Sequence, residues 1–184
     1  ANSEYALKVI KTAYESGAKF VILCDTNGGT LPFEISNIVT QVTKKIPGDN
    51  LGIHCHNDTG NAVANSLAAV RAGVSHVQGT LNGLGERCGN ADLIALIPIF
   101  ILKLDYDLGI PVESLKKLKH VSNYLKDILN QNYNAYAPFV GSAAFSHKGG
   151  LHASAIVKNT ELYEHINPAL VGNSRNILVS DQSG

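Results

Sequence analysis

The stretch Leu51-Gly52-Ile53-His54-Cys55-His56 is a short apolar run that ends in two histidines, and it decides the fold class. Similar apolar runs, each followed by polar residues and glycine, lie at 19–24 and 74–79. The segments between them, 32–46 and 61–71, repeat apolar residues at helical spacing. This alternation of short buried strands with helices predicts an α/β fold with a parallel sheet.

Further helices are predicted before the first of these strands, over 5–14, and after the last, over 92–104. The pattern changes after Pro111, where residues 112–130 read as one long amphipathic helix. We therefore predict a domain boundary near residue 110.

Composition excludes several classes of protein. The 184 residues contain 15 Lys plus Arg and 15 Asp plus Glu, so the net charge is zero and a nucleic-acid partner is not expected. No apolar run is long enough to span a membrane, so no membrane partner is expected either. Three cysteines without a disulfide framework predict a cytoplasmic location.

Polar residues follow all three predicted strands, at 25–29, 54–58 and 80–90. In parallel sheets the carboxyl ends of the strands lie together, so these residues predict one functional site. His54 and His56 point to the same face of a strand and can bind one divalent metal, given oxygen ligands from elsewhere. Asn57 and Asp58 are candidates to support these ligands. The alternative is that both histidines only satisfy loop backbone groups.

The glycine-rich loop 83–90 is less specific. Its third glycine, Gly89, comes one position too late for the dinucleotide-binding fingerprint, so a phosphate cradle and a simple tight turn both remain open. Glu86 and Arg87 are interpreted as a structural ion pair. His147 is open to a structural role or to proton transfer.

Four ordered motifs resemble one enzyme family, the acetyl-CoA-dependent 2-oxo acid acyltransferases, which comprise the 2-isopropylmalate, homocitrate and citramalate synthases. The motifs lie at 23–32, 54–58, 78–90 and 146–152. The resemblance is greatest to the citramalate synthase branch, because the sequences of residues 25–30, 163–165 and 176–180 are most similar to that branch.

The resemblance implies the second half of a (β/α)₈ TIM barrel over 1–110, followed by a helical linker and accessory subdomain over 111–184. The Arg-Asp pair of the family's first strand and its glutamate after the fourth strand have no counterpart here. The chain is therefore expected to be an incomplete part of such an enzyme, and activity of this part alone is not expected.

The resemblance also implies roles for individual residues. The implied metal ligands are His54, His56 and Asn90, binding Mg²⁺, Mn²⁺ or Zn²⁺. The implied substrate contacts are Thr26, Asn82 and Glu86, and the implied catalytic pair is His152 and Tyr163. The family further implies a homodimer in which the subdomain of one protomer reaches the barrel of its partner.

The implied reaction is a metal-assisted Claisen condensation of acetyl-CoA with a 2-oxo acid, followed by thioester hydrolysis. Pyruvate, giving citramalate, is the expected acceptor, and 2-oxoisovalerate, as in 2-isopropylmalate synthase, is an alternative. A related barrel lyase for hydroxymethylglutaryl-CoA or a 4-hydroxy-2-oxo acid is a second alternative, although it should lack the 146–152 motif and Tyr163. A non-catalytic fragment or assembly partner is a third, and it would bind no metal.

Overall fold

The structure is a computed structural model that describes residues 2–148, 154–156 and 158–178. Its contacts divide the chain into two compact units, Ala1–Leu96 and Ile97–Gly184. Within the described ranges, no helix is long and apolar enough to cross a lipid bilayer. The helices and strands are, in chain order, α1 (Ser3–Glu15), β1 (Val21–Asp25), α2 (Pro32–Thr43), β2 (Leu51–Cys55), α3 (Ala62–Arg71), β3 (His76–Gln78), α4 (Leu93–Leu104), α5 (Leu118–Ile128), β4 (Ser146–His147) and β5 (Asn176–Ile177).

The first unit is built on a parallel sheet with the strand order β1-β2-β3. Val21 pairs with Leu51 at the start of β1, and Gly52 pairs with His76 at the start of β3. The predicted alternation of strands and helices is therefore confirmed. All three strands run in one direction, so their polar carboxyl-terminal loops lie at one edge of the sheet.

The central strand β2 forms the middle of the core. Leu51, Ile53 and Cys55, which share one face of the strand, are almost completely buried. A Cβ added at Gly52 would lie 2.3 Å from Ile22 Cδ1, so the Ile22 side chain would have to move to admit any larger residue. The tight packing around β2 fixes the direction in which its last residues leave the sheet.

The helix α3 packs against β2, α2 packs against α3, and each of the two helices begins for a local reason. Pro32 opens α2, and the Glu34 carboxylate accepts a hydrogen bond from the Leu31 N–H (2.9 Å). Asn57 Oδ1 accepts one from the Ala62 N–H (3.1 Å) at the start of α3. Asn57 thus anchors a helix beside the predicted metal pair.

The long helix predicted over 112–130 is wrong. Residues Val112–Lys117 form a 3₁₀ helix, and α5 begins only at Leu118. A 3₁₀ turn has 3.0 residues instead of 3.6, although burial continues across the junction from Leu115 to Leu118. Ile128, predicted on the buried side, is 62% exposed, whereas Ser122 is fully buried.

The second unit contains a buried ion-pair cluster, the Glu164 cluster, formed by Glu164, Arg175 and His147. The Glu164 carboxylate accepts two hydrogen bonds from Arg175 (2.6 and 2.5 Å) and lies 3.3 Å from His147 Nε2. Its side chain is only 2% exposed. The Glu164 carboxylate thus links three separate segments of the chain. Two of these segments are also joined by the parallel pairing of β4 with β5.

Candidate functional site

The two histidines predicted to bind metal lie side by side at the end of β2. Their ring centroids are 5.2 Å apart, and the ring planes are nearly perpendicular at 82°. Both Nδ1 atoms are buried, and neither has a hydrogen-bond partner among the described residues. Buried polar atoms in proteins are almost always paired, so two neighbouring exceptions indicate a missing partner.

Asn90 is brought to this pair by the glycine-rich loop. Its backbone bridges to His56, and the flanking hydrogen bonds run from Asn57 N to Gly89 O (2.9 Å) and from Ala91 N to Cys55 O (3.0 Å). Asn90 Nδ2 donates to the Leu84 carbonyl (3.0 Å), so Oδ1 remains the available acceptor. Asn90 Oδ1 is likewise buried without a partner in the described part of the chain.

The glycines of this loop make room for Asn90. A Cβ at Gly85 would lie 2.1 Å from Asn90 Nδ2. Gly89 has φ +85°, and a Cβ there would lie 1.9 Å from Gly83 O. The Asn90 N–H also donates to Gly83 O (2.9 Å), so the loop closes tightly on itself. This close approach accounts for the glycines at these positions.

The electrostatics of the strand favour uncharged side chains. Burial, reinforced by the neighbouring His56 imidazole, lowers the pKa of His54. A neutral imidazole is the form that binds a metal ion. Burial also raises the pKa of the Cys55 thiol to about 12, so Cys55 stays protonated and apolar between the two histidines.

Arg87 pairs mainly with Asp58, a partner that sequence reasoning missed. Arg87 Nε and Nη2 donate to the two Asp58 carboxylate oxygens at 2.8 and 3.1 Å. These hydrogen bonds lower the pKa of Asp58. Glu86 is only a secondary partner at 3.6 Å, and its side chain is 81% exposed. Asn57 and Asp58 were candidates to support the imidazoles, but their side-chain oxygens accept hydrogen bonds from Ala62 N–H and Arg87 Nε.

A second missed feature is the buried carboxylate at the end of β1. Asp25 Oδ1 accepts from Thr30 Oγ1 (2.7 Å), and Asn65 Nδ2 donates to the Thr30 carbonyl (2.7 Å). Asn65 is fully buried in α3. The position of Asn65 on the buried face of a predicted helix was the only feature of the sequence that could have indicated a buried polar contact there. These bonds tie Thr30, at the far end of the loop after β1, to Asp25 and to α3.

The predicted substrate contacts all lie in loops of the first unit. Thr26 is exposed and directly follows β1. Asn82 lies in a short turn with φ 59°, a left-handed conformation that Asn tolerates better than most residues. Glu86 extends into solvent beside Arg87.

The predicted catalytic pair belongs to the second unit. Tyr163 follows the 3₁₀ turn Thr160–Leu162 and is 42% exposed. His152 lies outside the described residues. His147 Nε2 lies 3.3 Å from Glu164 Oε1 in the Glu164 cluster, and the side chain of His147 is only 10% exposed.

A parallel sheet with polar residues at the carboxyl ends of its strands defines the class of α/β enzymes, which includes the barrel enzymes. Within that class, the profile of the family described as HMGL-like matches residues 1–122. A second profile, described as homocitrate synthase post-HMGL domain-like, matches residues 139–184. The chain belongs to the HMGL-like family.

Curated relatives refine the resemblance. The chain is 54% identical over its whole length to (R)-citramalate synthase of Aquifex aeolicus, and 53% identical to that of Sulfolobus acidocaldarius. It is 37% identical to 2-isopropylmalate synthase of Sulfolobus acidocaldarius. The chain spans 35% of the length of the two citramalate synthases and 47% of the isopropylmalate synthase.

Solved structures support the fold. Hydroxymethylglutaryl-CoA lyase from Pseudomonas aeruginosa superposes with a TM-score of 0.63 at 20% identity, covering 78% of this chain and 46% of that one. The carboxyl transferase domain of Rhizobium etli pyruvate carboxylase gives 0.55 at 20% identity, covering 70% and 21%. The prediction of part of a (β/α)₈ barrel is confirmed.

Proposed function

We propose that this chain belongs to an acyltransferase that condenses acetyl-CoA with pyruvate to give citramalate, in the supply of precursors for branched-chain amino acids. The observation that carries the proposal is the set of three buried, unpartnered atoms, His54 Nδ1, His56 Nδ1 and Asn90 Oδ1. The greater identity to citramalate synthases than to 2-isopropylmalate synthases supports pyruvate as the acceptor.

The donor set fits a divalent cation. Two imidazoles and an amide oxygen suit Mg²⁺, Mn²⁺ or Zn²⁺, and the lowered pKa of His54 keeps that imidazole available. Among the described residues, no three His, Cys, Asp or Glu side chains form a metal cluster, so further oxygen ligands must come from the substrate or from elsewhere. When bound, the cation would polarise the carbonyl of the 2-oxo acid.

The loops around this pair would hold the substrate. Thr26 and Asn82 would bind the 2-oxo acid, and Glu86 would line the entrance. A base would remove a proton from the methyl group of acetyl-CoA, and the resulting carbanion would attack the carbonyl carbon. His152 would donate a hydrogen bond to the developing alkoxide, with Tyr163 as its partner. Water would then hydrolyse the thioester and release CoA.

The central experiment measures CoA thiol release by the natural-length gene product, given acetyl-CoA and Mg²⁺ or Mn²⁺. We expect release with pyruvate and loss of release after chelation. His54→Ala should abolish both Mn²⁺ binding and release, because it removes one imidazole of the pair. His120→Ala is the matched control, since His120 is exposed on α5. Unchanged turnover of His54→Ala with metal present would refute the metal site.

A second candidate acceptor is 2-oxoisovalerate, because identity to a 2-isopropylmalate synthase reaches 37%. Pyruvate and 2-oxoisovalerate differ in the volume of their side chains, so the ratio of kcat/KM for the two acids decides between them. A ratio in favour of 2-oxoisovalerate would assign the chain to leucine synthesis.

We also propose a cytoplasmic homodimer in which the subdomain of one protomer completes the site of its partner. Three free cysteines support a reducing compartment. Mixing the inactive variants His54→Ala and Tyr163→Phe, after dissociation, would place one intact site in each mixed dimer. Recovery of about a quarter of the wild-type activity is expected for random exchange. No recovery, with mixed dimers present, would contradict the exchange.

A further inference from the structure

Arg87 connects loops from all three strands of the sheet. Its guanidinium binds both carboxylate oxygens of Asp58, after β2, and Nη2 also donates to the Thr26 carbonyl (2.7 Å), after β1. Arg87 itself lies in the loop after β3. The planar guanidinium can make such a fork, whereas the single ammonium of a lysine cannot.

The backbone at Arg87 is held in an unusual conformation. Its φ is +57°, in the left-handed region that costs a residue with a side chain free energy. The next turn closes behind it, with the Gly89 N–H donating to Glu86 O (3.0 Å). A strained backbone that places a side chain in three hydrogen bonds points to a positioning role.

Asn90 does not depend on Arg87 for its place. The hydrogen bonds from Asn57 N to Gly89 O and from Ala91 N to Cys55 O tie this part of the loop directly to the end of β2. Thr26, by contrast, is exposed, and its carbonyl oxygen accepts the Arg87 hydrogen bond. Loss of the guanidinium should therefore affect the loop after β1 and spare the metal ligands.

Stability alone does not explain the arrangement. The Arg87 side chain is 41% exposed, and ion pairs at this exposure contribute little to folding. We propose that Arg87, anchored by Asp58, is a positioning residue that sets Thr26 for the 2-oxo acid. The proposal rests on the proposed function, in which Thr26 contacts that substrate.

The test compares Arg87→Lys with Arg71→Lys in the natural-length gene product. Arg71 is exposed at the end of α3, so the same substitution there should change nothing. For Arg87→Lys we expect KM for pyruvate to rise about 10-fold to 100-fold, because Thr26 is misplaced. KM for acetyl-CoA, the Mn²⁺ affinity and the melting temperature should match the wild type.

Hydrogen exchange supplies a readout that needs no activity. The Gly28 and Gly29 amides, bonded to Asp25 O (3.2 Å) and Asn27 Oδ1 (3.0 Å), should exchange faster in Arg87→Lys. The Asn90 and Ala91 amides serve as internal references and should keep their protection.

Each outcome of the two measurements has a distinct meaning. If the wild type condenses no 2-oxo acid, the proposed function fails, and exchange at the loop after β1 still decides whether Arg87 holds it. If Arg87→Lys matches Arg71→Lys in both KM and exchange, the positioning role is refuted. A joint fall in Mn²⁺ affinity and melting temperature would also overturn it, because it would indicate a general structural role.

Discussion

Replacing Gly28 by alanine tests how closely the loops after β1 and β2 pack. Gly28 has φ +62°, and a Cβ there would lie 2.4 Å from Asp58 Oδ2 and 2.7 Å from the Asp58 backbone nitrogen. The left-handed backbone costs alanine about 1–2 kcal/mol. Relieving the overlap costs about 1–3 kcal/mol more, because backbone cannot move aside as a side-chain tip can. The free energy of unfolding should therefore fall by about 2–5 kcal/mol in total.

Gly60→Ala is the matched control. Gly60 has φ +74° in the loop after β2, but nothing lies within 4 Å of the Cβ that it would gain. This variant should lose only the backbone contribution of about 1–2 kcal/mol. The difference between the two variants isolates the steric contact with the backbone of Asp58.

Denaturant midpoints of wild type, Gly28→Ala and Gly60→Ala, measured by circular dichroism at one pH and salt concentration, give the comparison. Gly28→Ala should also weaken pyruvate binding, because the displaced backbone lies two residues from Thr26. If Gly28→Ala is no less stable than Gly60→Ala, the two loops do not pack as described.

The remaining predictions concern the second unit and the thiols. Glu164→Gln should lower the free energy of unfolding by about 1.5–3 kcal/mol, because Arg175 and His147 lose a charged acceptor. The control is Glu161→Gln, since Glu161 is exposed. Equal changes in the free energy of unfolding for the two variants would refute the role of the Glu164 cluster. Because Arg175 lowers the pKa of Glu164, its contribution is present above the unfolded-state pKa and is lost as pH falls through the folded-state pKa. Glu164→Gln should thus be less sensitive to acid, as melting curves between neutral and acid pH would record. Cys55, with a pKa of about 12, should resist iodoacetamide at pH 8 until the protein unfolds. The exposed Cys24 and Cys88 should react in the native protein. If peptide mass mapping finds Cys55 labelled in the native protein, its burial is contradicted.

The strands and the imidazole pair could be predicted because their signals are local. Two residues at spacing i and i+2 on a strand share a face whatever the rest of the chain does, so His54 and His56 were predictable together. Asn90, by contrast, followed only from the resemblance. Its place beside His56 depends on a loop that folds back to β2, and no periodicity indicates such a loop.

Sequence reasoning missed features that depend on contacts distant in sequence. The predicted Glu86–Arg87 ion pair is present at 3.6 Å, but the main partner of the guanidinium, Asp58, lies 29 positions earlier and was not predicted. Likewise, the apolar spacing over 112–130 fits a helix, but it does not reveal that the first six residues wind as a 3₁₀ helix. Buried Asp25 was similarly invisible, since its partners come from Thr30 and Asn65.

The three unpartnered atoms at the end of β2 come from a single continuous stretch, 54–90. Closing a loop of this length carries a modest entropic penalty, and that penalty grows only slowly with length. The parallel pairings beneath it join Val21 to Leu51 and Gly52 to His76, so this edge of the sheet forms only when segments distant in sequence have come together. We therefore expect the imidazole pair and Asn90 to keep or lose their arrangement together, as one cooperative unit that unfolds with the sheet.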